Sequence, residues 1–332
     1  MPESKAARIA FVGAGNHATE SLYPNIAHIP EFDLVAVCDL VPEKARSAAK
    51  RFGAPESFTD IEMLLDRVAP DGVCVCGPPQ MHFEVSRQVL RRGIPVFTEK
   101  PPGSTLAQTE ELLALAREKH TWGMVAFMKR FAPANVVAKE YMAGDAFGGL
   151  SSITLIHGCG PYGSLRKMLL FNGIHMLDLG RFFAGNVVEL SAFASAEGAK
   201  TQAASVAMKF DSGAVGQLNM NSGHSRSDCF EQTYLSGGGA GILIDASRAT
   251  EIMSPASQFA EGKGLALYGW SSRYYASGNM AGWAPSGHYT RGYWGELSQF
   301  ARALLKQVPP GPTLEDGVAA MTLIDRIIES AG

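Results

Sequence analysis

Two short stretches of this chain carry residue types that suit chemistry on a dinucleotide. The first, Gly13-Ala14-Gly15-Asn16-His17-Ala18, follows the apolar residues 9–12. Glycines here let the backbone turn tightly and approach a pyrophosphate, and the next helix offers its free N–H groups and positive dipole end to that phosphate. The second, Thr98-Glu99-Lys100-Pro101, puts a lysine at the end of a later strand, where parallel sheets bind ligands. We therefore predict dinucleotide-dependent chemistry with a lysine in the site.

A carboxylate follows the second apolar run of the chain. Residues 32–38 end directly before Asp39, which lies 21 residues after Ala18. An acid at this position accepts hydrogen bonds from the ribose hydroxyls of NAD, whereas a 2′-phosphate would meet like charge. Leu40 comes next, where an arginine would favour NADP. The spacing predicts NAD rather than NADP; the alternative is that Asp39 only caps the next helix.

Lys100 precedes Pro101 and Pro102, and a proline restricts the residue before it to extended conformations. This restriction fixes the direction of the lysine side chain. A cation beside a nicotinamide can hydrogen-bond a substrate hydroxyl and stabilise the alkoxide that forms as hydride leaves. The alternative is a strand-end lysine that faces only solvent.

His175 lies in Asn172-Gly173-Ile174-His175-Met176-Leu177-Asp178. A histidine can take the hydroxyl proton during alcohol oxidation, or return it during reduction. His175 and Asp178 are three residues apart, so they share a face of a helix, and Asp178 could orient the imidazole. The alternative is a His–Asp pair on the helix surface.

Alternating strands and helices must position these residues. Residues 8–128 predict a doubly wound parallel sheet, with helices over residues 42–52, 81–92 and 105–119. After residue 130, two-residue alternation between residues 152 and 245 is typical of a mostly antiparallel sheet. Helices are expected over residues 293–305 and 314–330, and a long loop over residues 254–285. The fold class is therefore α/β, with a dinucleotide-binding domain over residues 1–128 and a second domain over residues 129–332.

Composition limits the classes of partner. The net charge of 29 − 32 = −3 gives no electrostatic reason to expect nucleic acid or acidic lipid. Five cysteines form an odd set without metal-ligand spacing, which suits a reducing cytoplasm and no metal. No apolar signal region or stretch of membrane-spanning length occurs. We expect a cytoplasmic protein without nucleic-acid or membrane partners.

The order of these motifs resembles the Gfo/Idh/MocA family, named for glucose-fructose oxidoreductase, inositol dehydrogenase and a rhizopine-catabolism protein. The matching segments are Gly13-x-Gly15-x-x-Ala18, Gly77-Pro78-Pro79-Gln80-Met81-His82, Glu99-Lys100-Pro101, Gly173-Ile174-His175-Met176-Leu177-Asp178 and Pro312-Thr313-Leu314-Glu315-Asp316-Gly317. The resemblance implies an N-terminal Rossmann domain and a C-terminal α/β domain whose open sheet often forms a homodimer or homotetramer interface. It also implies oxidation or reduction of a hydroxyl carbon of a sugar, cyclic polyol or sugar derivative.

The resemblance also implies site residues. By this resemblance Lys100 is expected to contact substrate and nicotinamide ribose, and its peptide bond to Pro101 is expected to be cis, as it often is in the family. His175 is expected to be the acid/base group. With Asp178, these form the predicted catalytic set. The predicted cofactor contacts are Gly13, Ala14, Gly15, Asn16, His17, Asp39, Gly77, Pro78, His82, Glu99 and Lys100. The predicted substrate contacts are Lys100, Arg130, Tyr162, Asn172 and His175.

One position departs from the family pattern. Family members commonly carry an aspartate four residues before the histidine, where this chain has Phe171. An apolar ring there is expected to weaken proton relay from His175 or to reshape the pocket. Lys129 and Arg130 could bind a substrate carboxylate or phosphate. Two alternatives to a dehydrogenase stay open: an NAD-dependent glycoside hydrolase, and a non-enzymatic regulator that binds a dinucleotide.

Overall fold

The computed structural model describes residues 6–196, 198–224, 230–254, 270–275 and 287–332. The chain divides into two compact units. The first unit comprises residues 1–128 and 293–322, and the second comprises residues 129–292 and 323–332. Cys229 and the parts of the predicted loop over residues 255–269 and 276–285 lie outside the described residues.

The first unit contains a six-stranded parallel sheet with the order β3-β2-β1-β4-β5-β6. Its strands are β1 (Ala7–Val12), β2 (Phe32–Cys38), β3 (Glu56–Phe58), β4 (Gly72–Val75), β5 (Val96–Thr98) and β6 (Gly123–Val125). All residues of β4, β5 and β6 are buried, as expected for strands of a parallel sheet that is covered on both faces. The strand order reverses between β1 and β4, and ligands of such sheets bind at the carboxyl ends beside that reversal.

Helices connect these strands, as the alternating pattern predicts. A π-helical turn over Ala18–Leu22 continues into α1 (Tyr23–Ile26), and α2 (Pro42–Phe52), α3 (Ile61–Val68), α4 (Pro79–Arg91) and α5 (Leu106–Glu118) follow. Proline in the first turn of α2 and Gly53, at φ 83°, fix its two ends. The side chain of Thr105 accepts from the N–H of Gln108 and so caps α5.

The second unit is built on an eight-stranded sheet with the order β14-β13-β12-β11-β7-β10-β9-β8. Its strands are β7 (Leu150–Gly158), β8 (Val187–Ala194), β9 (Ala203–Phe210), β10 (Val215–Asn221), β11 (Phe230–Gly237), β12 (Gly241–Asp245), β13 (Ala249–Ser254) and β14 (Trp270–Tyr275). Strands β7 and β10 are parallel, and the other neighbouring pairs are antiparallel. This confirms the predicted α/β fold with a parallel sheet and a mostly antiparallel sheet.

One local prediction is wrong. Strand β14 lies within residues 254–285, which the sequence analysis assigned to a loop. Its sequence, Trp-Ser-Ser-Arg-Tyr-Tyr, lacks a regular alternation of apolar and polar residues. The strand forms because β13 offers an edge for pairing from Ala249 to Ser254, a tertiary contact that local sequence does not contain.

The helices of the second unit include α6 (Pro133–Met142), α7 (Leu165–Met168), α8 (Ile174–Ala184) and α9 (Gly287–Thr290). A π-helical turn over Leu169–Gly173 joins α7 to α8. Helix α8 lies close to β7. A Cβ added at Gly180 would come 3.1 Å from Cδ1 of Leu155, so a larger residue there would crowd this contact. Across the part of the chain that the structure describes, no helix is both long and apolar enough to cross a membrane.

Two helices near the end of the chain, α10 (Tyr293–Leu304) and α11 (Leu314–Ala331), follow the second sheet in sequence. The first unit nevertheless includes α10 and the first part of α11, so it extends beyond the predicted domain over residues 1–128. The physical reason is the buried stripe of α10, where Leu297 and Phe300 belong to the same apolar core as Ile9 and Phe97. A helical pattern identifies an apolar face but not the sheet that covers it.

Candidate active site

The glycine loop lies where β1 ends, beside the reversal of strand order. Gly13 has φ +105°, and a Cβ there would lie 1.9 Å from the carbonyl oxygen of Cys76, so only glycine fits. A Cβ at Gly15 would meet no atom within 4 Å, and Asn16 is exposed. The helical turns that follow have N–H groups in their first turn without helical acceptors. The loop therefore fits a pyrophosphate, which needs close backbone approach and N–H donors.

Asp39 lies beside this loop at the end of β2. Its Oδ2 accepts from the N–H of Ala14 at 2.8 Å, and its Oδ1 accepts from the N–H of Val41 at 2.9 Å. Each carboxylate oxygen can accept a second hydrogen bond, for example from a ribose hydroxyl. Val41 is the N-cap residue of α2 and makes no side-chain cap. Asp39 thus joins the glycine loop to the start of α2 rather than only capping that helix.

Glu99 and Lys100 follow β5, and Glu99 is only 3% exposed. A hydrogen bond of 3.0 Å joins Oε1 of Glu99 to Nε2 of His17, and Oε2 accepts from the N–H of Lys100 at 3.0 Å. Burial by itself would raise the pKa of Glu99, but the hydrogen bond with His17 and the charges of His17 and Lys100 outweigh it and lower the pKa. The buried carboxylate therefore ties the lysine segment to the glycine loop.

His82 on α4 is buried and supports two loops. Its Nε2 accepts from the N–H of Gly77 at 2.9 Å, and its Nδ1 lies 2.8 Å from the carbonyl oxygen of Pro101. Burial lowers the pKa of His82, which suits a neutral ring that donates through Nδ1. Pro78 is the N-cap residue of α4. This geometry corresponds to packing at the helix start, and contact between His82 and a cofactor stays a prediction.

In the second unit, α8 buries both His175 and Asp178. Nε and Nη2 of Arg130 donate to the two oxygens of Asp178, at 2.9 and 2.6 Å. Nη1 of Arg181 lies 3.9 Å from the same carboxylate. The structure thus joins two predicted site residues, Arg130 and Asp178, in a bidentate ion pair. Contact of Arg130 with a substrate anion and orientation of His175 by Asp178 stay predictions.

Phe171 and Asn172 in the π-helical turn before α8 both interact with Tyr162. The rings of Tyr162 and Phe171 are parallel within 10°, with centroids 6.2 Å apart. Nδ2 of Asn172 donates to the hydroxyl of Tyr162 in a short hydrogen bond. All three side chains are half-buried. Phe171, the residue that departs from the family pattern, therefore stacks on Tyr162 and lies four positions before His175 in the chain.

Two buried carboxyl groups were missed by the sequence analysis. Glu231 on β11 forms an ion pair with Lys129, lies 3.4 Å from Nδ1 of His157 and accepts from the hydroxyl of Ser247 at 3.2 Å. Burial opposes ionisation of Glu231, but the charge of Lys129 and the contact with His157 outweigh it and hold its pKa well below the ordinary value. Lys129 therefore serves an internal ion pair.

The other missed carboxyl is that of Glu296 on α10, which is fully buried. A sequence signal could have found it, because Glu296 interrupts the apolar stripe of that helix.

Known proteins resemble the chain in sequence. Residues 7–127 match a family described as an oxidoreductase family with an NAD-binding Rossmann fold. D-glucoside 3-dehydrogenase of Escherichia coli is 30% identical over 193 residues, which make up 55% of this chain and 55% of that protein. The chain thus matches about half the length of this relative. Inositol 2-dehydrogenase of Rubrobacter xylanophilus is 26% identical and covers 99% of this chain and 92% of its own length.

Solved structures resemble the chain in fold over nearly its whole length. A dehydrogenase from Chromobacterium violaceum has a TM-score of 0.88 at 24% identity and covers 99% of this chain and 96% of that chain. Levoglucosan dehydrogenase in complex with NADH has a TM-score of 0.83 at 19% identity, with coverage of 98% and 97%. At these identities the likeness concerns the fold.

Proposed function

We propose that the chain belongs to the Gfo/Idh/MocA family of oxidoreductases and that it transfers hydride between NAD and a hydroxyl carbon of a sugar, cyclic polyol or sugar derivative. The observation that carries this proposal is the buried Glu99 carboxylate, which binds both His17 of the glycine loop and the main chain of Lys100. It holds a cationic side chain next to the loop that suits a pyrophosphate. The resemblance to a glucoside dehydrogenase and to an inositol dehydrogenase supports the substrate class.

Each proposed catalytic residue has a separate task. Lys100 hydrogen-bonds the substrate hydroxyl and stabilises negative charge on its oxygen. His175 takes the hydroxyl proton during oxidation and returns it during reduction. Asp178 orients the imidazole of His175, and a bidentate ion pair with Arg130 holds Asp178 itself in place. When bound, NAD accepts or supplies the hydride.

The proposed cofactor is NAD rather than NADP. The Asp39 carboxylate is anchored by two main-chain N–H groups and offers its remaining lone pairs to ribose hydroxyls. A 2′-phosphate at the same point would meet a fixed negative charge. The neighbouring Leu40 is 87% exposed and supplies no cation for such a phosphate.

The proposed substrate contacts include Tyr162 and Asn172. Rings of sugars and cyclic polyols carry C–H groups on their faces and hydroxyls at their edges. A half-buried aromatic pair next to an amide suits both features, because the rings pack against C–H groups and the amide bonds hydroxyls. Phe171 stands where family members commonly carry an aspartate, and its apolar ring favours a ring-shaped substrate.

We also propose a homodimer or homotetramer formed through the outer face of the second sheet. Strand register puts Phe193, Val215 and Tyr234 on one face. Their exposed fractions are 77%, 54% and 40%. Large apolar side chains on one open sheet face are typical of an interaction surface.

The test combines binding with turnover. Protein stripped of nucleotide is titrated with NAD and NADP, and then assayed with NAD against sugars and cyclic polyols. We expect NAD binding, NADH production and loss of turnover by at least about a hundredfold in Lys100→Met and in His175→Asn. Asp33→Asn, at an exposed position of β2, serves as the matched control.

Two results contradict this proposal. Glycoside cleavage without net NADH production supports the hydrolase instead. Binding of a dinucleotide without any turnover across the substrate panel supports the regulator.

A further inference from the structure

Helix α10 carries one acidic residue among the apolar side chains that it buries. Tyr293, Leu297 and Phe300 pack in the core of the first unit, and Glu296 among them is 0% exposed. Neither carboxyl oxygen of Glu296 has a hydrogen-bond partner among the described residues. Burying such a group costs folding free energy, and native proteins seldom retain one without a function.

The direction of α10 sets where this carboxyl lies. Leu304 at the end of the helix packs against Gly72, the first residue of β4, and the ring of Phe300 lies 5.7 Å from that of Phe97 in β5. At the start of the helix, the ring of Tyr293 lies 5.7 Å from that of His17. The helix therefore runs antiparallel to the strands, and Glu296 lies near their carboxyl ends, where the glycine loop and Lys100 also lie.

Titratable groups approach Glu296 from several elements besides its own. Those that interact with it, or with its neighbour Glu99, are Cys74, Cys76, Glu99, Lys100, His17 and His82. Burial and then the charge of Glu99 raise the pKa of Glu296 well above its ordinary value, whereas the charge of Lys100 opposes them. Burial also raises the pKa of both thiols, so they are neutral. Burial and the neighbouring charges thus favour the neutral form of Glu296 and the ionised form of Glu99.

The fold indicates which end of a dinucleotide comes near this acid. In a Rossmann crevice the two nucleotide halves lie on opposite sides of the reversal in strand order. Asp39, at the end of β2, marks the adenosine side, so the nicotinamide end extends over β4 and β5. The nicotinamide ring is a cation in NAD⁺ and uncharged in NADH.

We propose that Glu296 is a specificity-determining residue that links binding of NAD⁺, but not of NADH, to release of one proton. The inference rests on the proposed function. A cation over β4 and β5 favours ionisation of a carboxyl beneath it, so NAD⁺ binds more tightly to the ionised protein. The proton is released to solvent. By linkage, rising pH strengthens binding of NAD⁺ relative to NADH.

The experiment measures dissociation constants of NAD⁺ and NADH by calorimetry between about pH 6 and pH 9. For the natural protein we expect the ratio of the NAD⁺ constant to the NADH constant to fall as pH rises, by at most about tenfold per pH unit for one proton. The ratio is expected to be independent of pH in Glu296→Gln and in Glu296→Met. Leu297→Met, a buried change on the same helix, is expected to keep the natural slope.

Infrared spectroscopy gives a second readout that needs no cofactor. A protonated carboxyl has a carbonyl band separate from that of a carboxylate, and at neutral pH we expect one such band that Glu296→Gln removes. If that band is missing, or if Glu296→Gln keeps the natural pH slope, the inference is overturned while the proposed function stands. If the natural protein binds neither NAD⁺ nor NADH, both are overturned.

Discussion

We propose that the carboxylate of Asp39 sets the preference of the protein for NAD over NADP. Its two oxygens are anchored by Ala14 and Val41, so its charge cannot move away from an incoming 2′-phosphate. In Asp39→Asn, we expect the preference for NAD over NADP to fall by about tenfold or more, because the charge is lost while an acceptor remains. Calorimetric titration with both dinucleotides checks this. An unchanged preference in Asp39→Asn would mean that another group discriminates the phosphate.

The raised pKa of Glu296 leads to a prediction about the stability of the protein without cofactor. Its raised pKa keeps the folded protein protonated at pH values where the unfolded chain, with an ordinary value of 4.5, has ionised. Stability is therefore lost as pH rises above that value, until the folded pKa is reached. In Glu296→Gln the side chain at position 296 has no ionisable group in the folded or the unfolded protein. We expect its free energy of unfolding to match the natural protein near about pH 4 and to exceed it increasingly above, by up to about 1.4 kcal/mol per pH unit.

Urea denaturation of both proteins across this pH range measures the difference. Glu315→Gln is the matched control on α11, because the pKa of Glu315 is lowered. Burial alone would raise that pKa, but hydrogen bonds with Thr313 and Arg117 outweigh it. Glu315 therefore stabilises the fold above its unfolded pKa, and this contribution is lost as pH falls. A difference for Glu296→Gln that does not grow with pH contradicts a neutral buried acid.

At the scale of whole elements, α10 depends on one aromatic anchor. Phe300 is fully buried and packs against the rings of Phe32, Phe97 and Trp122. Phe300→Ala leaves a cavity between α10 and the parallel sheet, and we expect it to lower the free energy of unfolding by about 3–5 kcal/mol. Denaturant titration measures this loss. Arg302→Ala, on the exposed side of the same helix, is expected to change stability by less than about 0.5 kcal/mol; equal losses in the two variants would refute the anchor.

At the scale of the whole molecule, we propose that copies of the chain associate through the outer face of the second sheet. Among the described residues of this face, Phe193 has the most exposed large apolar side chain, at 77%. Phe193→Glu places a charge on this face, and burying an unpaired charge in an interface is costly. We expect sedimentation to show an oligomer for the natural protein and a smaller species for Phe193→Glu. Ser205→Glu, at the paired position of β9, changes the same face and is also expected to give the smaller species. The same mass for all three proteins would exclude this interface.

The sequence by itself determined the local features of this protein. The glycine loop, the acid after β2 and the Glu99-Lys100-Pro101 segment were recognisable because each depends on a few neighbouring residues with special conformations or charge. The parallel and the mostly antiparallel sheets were also predictable, since burial on two faces or on one leaves a different apolar period along each strand.

Tertiary structure decided which of these residues meet. Asp178 pairs with Arg130, a residue 48 positions away in the chain, and His17 meets Glu99 across 82 positions. The buried Glu296 reaches the parallel sheet only because α10 returns to the first unit after the second sheet is complete. Periodicity identifies the buried face of an element, but the partner of that face depends on packing between segments distant in sequence. Ion pairs and pKa shifts arise from that packing and therefore could not be predicted from local sequence.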